Sequence, residues 1–138
     1  MTLIKEAFLF VPFLVLEVVK MSAEEKFTKE EISKVGFAIV AYSGDARSDL
    51  VMAMNKASEG KISEAKALVK DAEESINMAH NAQTKLLSKE AAGDNMDVTF
   101  IMVHGQDTLM TTMLLKDEMK TIINLYERVN KLEGRAIE

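Results

Sequence analysis

The chain has 138 residues, a formal net charge of −5 and no cysteine. This length suits a single domain with its own core, and the absence of cysteine excludes disulfides, Cys-ligated metals and a thiol nucleophile. The acidic balance and the lack of a basic stripe argue against a nucleic-acid partner, because phosphate contacts need clustered Lys and Arg. An apolar content of 48% with only 6% aromatic residues favours a helical bundle.

The first residues differ from the rest of the chain. Residues 7–19 read AFLFVPFLVLEVV, an apolar run too short to span a bilayer comfortably. No small-residue cleavage site of a signal peptide follows it. Three interpretations stay open: translated sequence upstream of a start at Met21, a short segment packing on the bundle, or a membrane-directing peptide. We treat residues 1–21 as an apolar extension of undecided status and residues 22–138 as one domain.

The first helix is predicted to begin after Thr28, because Glu31 follows three positions later and completes a capping box. Apolar residues at steps of three and four continue to about Ser58. Small and charged residues interrupt the helix at residues 43–48. Either they allow a close helix approach with solvated charges, or Arg47 faces an anion site.

The second helix is predicted to run from an N-cap at Ser63 to about Ala91. His80 adjoins its inward face. Neither Gln83 nor Thr84 completes a metal pair with His80, so the sequence favours a packed or surface histidine over a ligand.

The third helix is predicted to be capped by Asp97 or Thr99 and to end at Gly134. Short connections place consecutive helices antiparallel. The expected fold is therefore all-α, an antiparallel up-down-up three-helix bundle.

Two apolar stripes run side by side along the third helix at helical spacing. The first comprises Phe100, Val103, Asp107, Met110 and Leu114, and the second comprises Ile101, His104, Thr108, Thr111 and Leu115. If both stripes are buried, one of them faces a partner chain, because a helix of a small bundle needs only one apolar face.

Asp107 interrupts the first of these stripes. A buried carboxylate must be protonated, paired or bound to a metal, since burial of an isolated charge is costly. In a symmetric assembly, copies of Asp107 could meet around a hard cation such as Mg²⁺. The alternative is that this face of the helix is more exposed to solvent than its apolar pattern suggests.

His104 has three possible roles. It could be a structural residue at a helix contact. It could be a general base, although Thr108 and Thr111 are weak nucleophiles and no oxyanion-binding loop is evident. As a nucleophile, its neutral imidazole could accept a phosphoryl group while Gln106, Asp107 or a backbone carbonyl fixes the proton on the other ring nitrogen.

Three ordered segments carry a resemblance to a known family. Residues 102–111 read MVHGQDTLMT, and this segment resembles the active-site signature of the IIA component of the lactose/cellobiose class in the phosphoenolpyruvate-dependent sugar phosphotransferase system. Residues 42–48 resemble the family's first-helix pattern, and residues 79–84 resemble its second-helix pattern. The match covers about Lys26 to Leu132.

The resemblance implies a cytoplasmic homotrimer that acts as a phosphocarrier. His104 would take a phosphoryl group from the histidine phosphocarrier protein HPr and pass it to a cysteine of the IIB component, with Gln106 lining the site. Asp107 would lie near the threefold axis and help to hold a divalent metal such as Mg²⁺. Contact with the membrane would be indirect, through the IIC sugar permease.

The chain departs from the family at one position, because the family commonly has histidine where this chain has Thr108. The resemblance does not assign a role to His80. It implies uptake of a β-linked disaccharide, and the overall pattern leans toward cellobiose-like sugars without separating them from lactose or chitobiose.

The alternative function is a non-catalytic oligomeric helical interaction module, in which His104 and Asp107 would be replaceable. A two-component phosphotransfer bundle is disfavoured, because Gly105-Gln106-Asp107 follows the histidine instead of a basic and small-residue pattern.

Overall fold

The computed structural model describes residues 27–136 and 138, and this part of the chain is helical without any strand. Helix α1 spans Lys29–Ser58, α2 spans Ile62–Ala91 and α3 spans Phe100–Leu132. The predicted all-α class with three long helices is confirmed. Within the described residues, no helix combines the length and apolarity needed to cross a bilayer. The interpretations of residues 1–21 lie outside the described residues.

The helices run up, down and up. At the end of the bundle that holds the α3 N-terminus, Gln83 near the end of α2 bonds to Gln106 near the start of α3. At the opposite end, the Asn130 side chain donates to the Ala57 carbonyl oxygen at 2.9 Å, which joins the last turns of α1 and α3. Helix α1 packs closely against both neighbours, whereas α2 and α3 contact each other much less. Helix α1 is therefore the element that holds the other two.

The helix starts agree with the sequence at α1 and α3 but not at α2. Thr28 and Glu31 form the expected capping box, and the Thr99 hydroxyl accepts from the Met102 backbone N–H at 3.2 Å. The predicted Ser63 cap is wrong, because α2 begins at Ile62 with no side-chain cap. Burial of Ile62 in the core outweighs the capping preference of Ser63.

The core is built mainly from small and medium-sized aliphatic side chains. Alanine is abundant on the inward faces of α1 and α2, where it brings the helix backbones close together. The large fully buried side chains include Ile39, Leu50, Leu109 and Met119. Such a core depends on close backbone approach, because alanine itself contributes little apolar area.

Two glycines allow a close approach between α1 and α3. A Cβ atom on Gly36 would lie 3.0 Å from the Met102 backbone nitrogen. A Cβ atom on Gly105 would lie 3.0 Å from the Gly36 carbonyl oxygen. Both obstacles are backbone atoms, so a side chain at either position would push the helices apart. This glycine crossing sets the position of the first two turns of α3.

The opposite end of the bundle is joined by backbone hydrogen bonds. Gly60 has φ +87° and turns the chain from α1 into α2. Its carbonyl oxygen accepts from the Glu138 N–H at 3.1 Å, and the Ser63 N–H donates to the Glu138 carbonyl oxygen at 3.2 Å. Glu138 thus satisfies the Ser63 N–H, a first-turn donor of a helix that lacks a side-chain cap.

Three carboxylates make a local unfavourable charge cluster. Partial burial, followed by the negative charges of Asp71 and Asp45, raises the pKa of Asp49 above its ordinary value. A raised pKa in the folded state means that folding disfavours the ionised form. Protonated Asp49 therefore favours the folded state at low pH, and this contribution is lost as the pH rises through the raised pKa.

Gly36→Ala should lower the free energy of unfolding by about 1–3 kcal/mol, because the added methyl group meets the α3 backbone. Gly44→Ala is the matched control in the same helix, since a Cβ there has no neighbour within 4 Å. It should stabilise the protein by about 0.5–1 kcal/mol through helix propensity. Urea denaturation measures the free energy of unfolding of both variants. Equal effects in the two variants would contradict a tight crossing at Gly36.

Asp49→Asn should raise the thermal midpoint at neutral pH and lose this advantage as the pH falls through the raised pKa of Asp49, because Asp49 itself is then protonated. Asp45→Asn is the control and should give a smaller gain of the same sign, because it removes only one of the neighbouring charges. A lower midpoint for Asp49→Asn at neutral pH would contradict the raised pKa.

Candidate functional site

His104 lies in the second turn of α3, immediately before the glycine crossing. Its side chain is exposed, while Gly105 beside it is buried against Ile39 and the Gly36 carbonyl oxygen. The crossing therefore fixes the backbone that carries His104 and leaves its imidazole accessible to a second molecule.

The side of α3 next to His104 faces α1. On this side the Thr108 hydroxyl donates to the His104 carbonyl oxygen at 2.7 Å. One turn further along, the Arg47 guanidinium of α1 donates to the Thr111 hydroxyl. Since Thr111 is seven residues from His104, Arg47 lies about 10 Å further along the axis at the helical rise. Arg47 is thus on the His104 side without contacting the imidazole.

Gln106 lies on the other side of α3, which faces α2. The Gln83 side-chain amide donates to Gln106 Oε1, and Gln83 is only 4% exposed. Two residues along a helix are about 200° apart around its axis, so Gln106 and His104 point in nearly opposite directions. Within one chain, Gln106 is turned away from the His104 imidazole. The predicted supporting role of Gln106 stays a prediction, and it requires a second copy of the chain.

Both glutamines border an apolar cavity of about 250 Å³ at the end of the bundle where α3 begins. Its apolar wall includes Leu86, Met102 and Val103. The carboxyl groups of Glu90 and Asp97 also line this cavity, but the hydrogen bond that joins Gln106 to another helix is the one from Gln83.

The first stripe predicted for α3 is exposed in the single chain. Phe100 is 92% exposed and Leu114 is 63% exposed, with Asp107 between them. We call this surface the apolar face of α3; its apolar members are Phe100, Val103, Met110, Leu114, Leu125, Val129 and Leu132. An apolar surface of this length on one helix is typical of an interaction site.

The stripe that α3 buries in its own bundle is a third one, and the sequence analysis missed it. It comprises Gly105, Leu109, Thr112, Met119, Ile123 and Asn130. The spacing of apolar residues does not reveal this stripe, because three of its members are glycine, threonine and asparagine. The residues of the second predicted stripe lie at its edge, where Ile101 and Leu115 are half-buried and His104 is exposed.

Asp107 is a single exposed carboxylate in one chain. Among residues 27–136 and 138, no group of three or more His, Asp or Glu side chains is arranged to hold a metal ion. A carboxylate oxygen is a ligand that Mg²⁺ accepts, but one such ligand does not make a site. Asp107 fits a metal only if further copies bring their own carboxylates.

His80 is exposed on α2, and His104 does not line the groove that His80 borders. It borders a groove between α2 and α3, together with Asn77, Lys116 and Asp117. The Thr84 hydroxyl donates to the His80 carbonyl oxygen at 2.8 Å. These contacts agree with the expected surface histidine.

Both the amino-acid sequence and the fold match known proteins. Residues 34–127 match the family described as "PTS system, Lactose/Cellobiose specific IIA subunit". The chain belongs to this family. It is 59% identical over 108 residues to the PTS system lactose-specific EIIA component of Lacticaseibacillus casei, covering 78% of this chain and 96% of the relative.

Solved structures of IIA proteins share the fold. The PTS cellobiose-specific enzyme IIA from Bacillus anthracis has a TM-score of 0.68 and 34% identity, covering 80% of this chain and 96% of that one. The IIA(Chitobiose) protein of the Escherichia coli phosphotransferase system, solved in complex with HPr, has a TM-score of 0.63 and 34% identity over 72% and 97% of the two chains. The family resemblance drawn from the three segments is confirmed.

Proposed function

We propose that this IIA chain is a phosphocarrier in which His104 accepts a phosphoryl group from phospho-HPr and passes it to the cysteine of a IIB component. The observation that carries the proposal is the exposed His104 imidazole inside the segment that matches the family. The E. coli relative that was solved with HPr supports HPr as the donor.

The chemistry needs little beyond an accessible imidazole. One ring nitrogen of neutral His104 attacks the phosphorus atom, forming an N–P bond as the N–P bond of phospho-HPr breaks. The other ring nitrogen keeps its proton. In the second transfer the IIB thiolate attacks the same phosphorus atom and His104 leaves as the neutral imidazole. The Thr108 hydroxyl is engaged by its own helix at 2.7 Å, so it does not compete as an acceptor.

We propose that the chain assembles through the apolar face of α3 as a homotrimer, the state that the family resemblance implies. Association would remove that face from water, with a gain of roughly 25 cal/mol for each Å² buried. Gln106 and His104 lie at opposite edges of the face, so a cyclic assembly would bring the Gln106 edge of one copy toward the His104 edge of the next. This arrangement would restore the supporting role predicted for Gln106.

Asp107 lies within the same apolar face. Three copies near an axis would repel one another unless a cation lay between them, so we propose that the Asp107 carboxylates hold a divalent ion such as Mg²⁺. The ion would neutralise the buried charges.

The carrier would work in the cytoplasm, where its donor HPr acts, and would reach the membrane only through the IIB component and the IIC sugar permease. We propose a β-linked disaccharide as the sugar. Lactose is favoured over the cellobiose-like sugars toward which the sequence pattern leaned, because the relative named lactose-specific shares 59% identity against 34% for the one named cellobiose-specific. A comparison of lactose-specific and cellobiose-specific IIB proteins as acceptors would decide between them.

The second candidate is the non-catalytic interaction module. The length of the apolar face favours it as much as it favours a trimeric carrier. Phosphorylation separates the two functions.

Wild-type protein incubated with phosphoenolpyruvate, enzyme I, HPr and Mg²⁺ should gain one acid-labile phosphate, measured by intact mass. His104→Ala should gain none, because the accepting nitrogen is removed, and should keep the helical circular dichroism of wild type. His80→Ala is the matched histidine control and should be charged normally. Phosphate on His104→Ala would contradict the proposed site.

No phosphate on wild type under conditions that charge HPr would favour the interaction module. Thr108→His then tests whether the departure from the family pattern is the cause. If that variant also stays uncharged, the carrier function is rejected.

Leu114→Glu should convert the assembly to monomers, because it places three new charges in the apolar face. Met78→Glu on α2 is the control, since it adds the same charge at another exposed apolar position, and should leave the assembly intact.

Asp107→Leu should preserve or strengthen the trimer and make it insensitive to EDTA, because it removes the buried like charges. Sedimentation equilibrium measures all three. A monomeric wild type or a dissociated Asp107→Leu would contradict this arrangement.

A further inference from the structure

Gln83 is a buried polar residue that the proposed chemistry does not yet use. It lies one turn after His80 in the second segment of the family resemblance, and only 4% of it is exposed. Its side-chain Nε2 donates to Gln106 Oε1 across the α2–α3 contact. A buried glutamine usually has a partner, because an unpaired amide in an apolar site is costly. Here that partner is a predicted residue of the active site.

This hydrogen bond decides which atom Gln106 presents to its surroundings. A glutamine amide has one accepting oxygen and one donating NH₂ group, and rotation about its last torsion exchanges them. Gln83 occupies Oε1 of Gln106, and the NH₂ group of Gln106 makes no hydrogen bond with the described residues, although the carboxyl groups of Glu90 and Asp97 line the same cavity. The group that Gln106 can offer is therefore a donor.

A donor is what a phosphoryl group requires, since its oxygens only accept hydrogen bonds. An amide turned the other way would present its oxygen and repel the phosphoryl oxygens. The apolar lining of the adjoining cavity, which includes Leu86 and Met102, provides few alternative donors that could hold Gln106 in this orientation.

We infer that Gln83 is a positioning residue for phosphoryl transfer, which fixes the amide of Gln106 so that its NH₂ group faces the phosphoryl group on His104 of the neighbouring copy. The inference rests on the proposed transfer at His104 and on the proposed trimer, in which the Gln106 edge of one copy meets the His104 edge of the next. It assigns to Gln83 no contact with the phosphoryl group, because the residue acts through Gln106.

The test measures the rate of phosphoryl transfer from phospho-HPr to the full chain at several HPr concentrations, so that kcat and KM are separated. Gln83→Leu should lower kcat by about three- to tenfold, the effect of one hydrogen bond, and leave KM for phospho-HPr unchanged. Gln106→Leu should give a similar loss. The double variant should be no slower than Gln106→Leu alone, because Gln83 acts only through that residue.

Gln83→Glu provides a second variant of nearly the same shape. The introduced carboxylate can only accept, so it would draw the Gln106 NH₂ group toward itself and leave the oxygen facing the phosphoryl group. We expect a larger loss of kcat than for Gln83→Leu. This variant keeps the inference testable if Gln83→Leu does not fold.

Ile76→Ala is the control for packing. Ile76 is buried two turns before Gln83 in the same helix and does not line the cavity beside Gln106, so its truncation should lower the unfolding midpoint without lowering kcat. Wild-type kcat in both Gln83 variants, or additive losses in the double variant, would overturn the inference. Absence of phosphate on wild type would instead reject the proposed function itself.

Discussion

The close contact between Gly36 and Gly105 is the constraint on which the rest of the structure depends. It lets the backbones of α1 and α3 approach until an added Cβ would meet main-chain atoms at 3.0 Å. A contact between backbones is stiffer than a contact between side chains, which can change rotamer. The position of His104 follows from this constraint. Its backbone is fixed because the next residue, Gly105, is buried in the contact, while its own side chain points away from the contact.

The function we propose asks three things of α3, namely a core contact, an accessible histidine and an assembly surface, and the helix has a separate surface for each. One surface enters the bundle through Leu109, Met119 and their neighbours. The apolar face is turned away from the bundle, and the edges between the two carry His104 on the α1 side and Gln106 on the α2 side. The function we propose uses each edge for a different purpose, so a change in the crossing of α1 and α3 would alter both together.

Much of this architecture could be predicted from the sequence, because it is encoded in local signals. The Thr28 capping box and the turn at Gly60 define helix ends through contacts within a few residues. The start of α2 could not be predicted in this way, since burial of Ile62 depends on tertiary packing. The same limit applies to the site. His104 could be identified from the short sequence segment around it. The hydrogen bond between Gln83 and Gln106, and the direction in which Gln106 points relative to His104, depend on how the three helices are arranged.

The hydrogen bonds of Glu138 with the α1–α2 turn give the bundle two unlike ends. At one end, Gly60, Ser63 and Asn130 connect all three helices through backbone or buried side-chain groups. At the other end, the connection between α2 and α3 is largely exposed. Amide hydrogen exchange should therefore show a gradient along the bundle axis, with slow opening near Gly60 and fast opening around residues 92–98. His104 lies toward this more exposed end of the bundle.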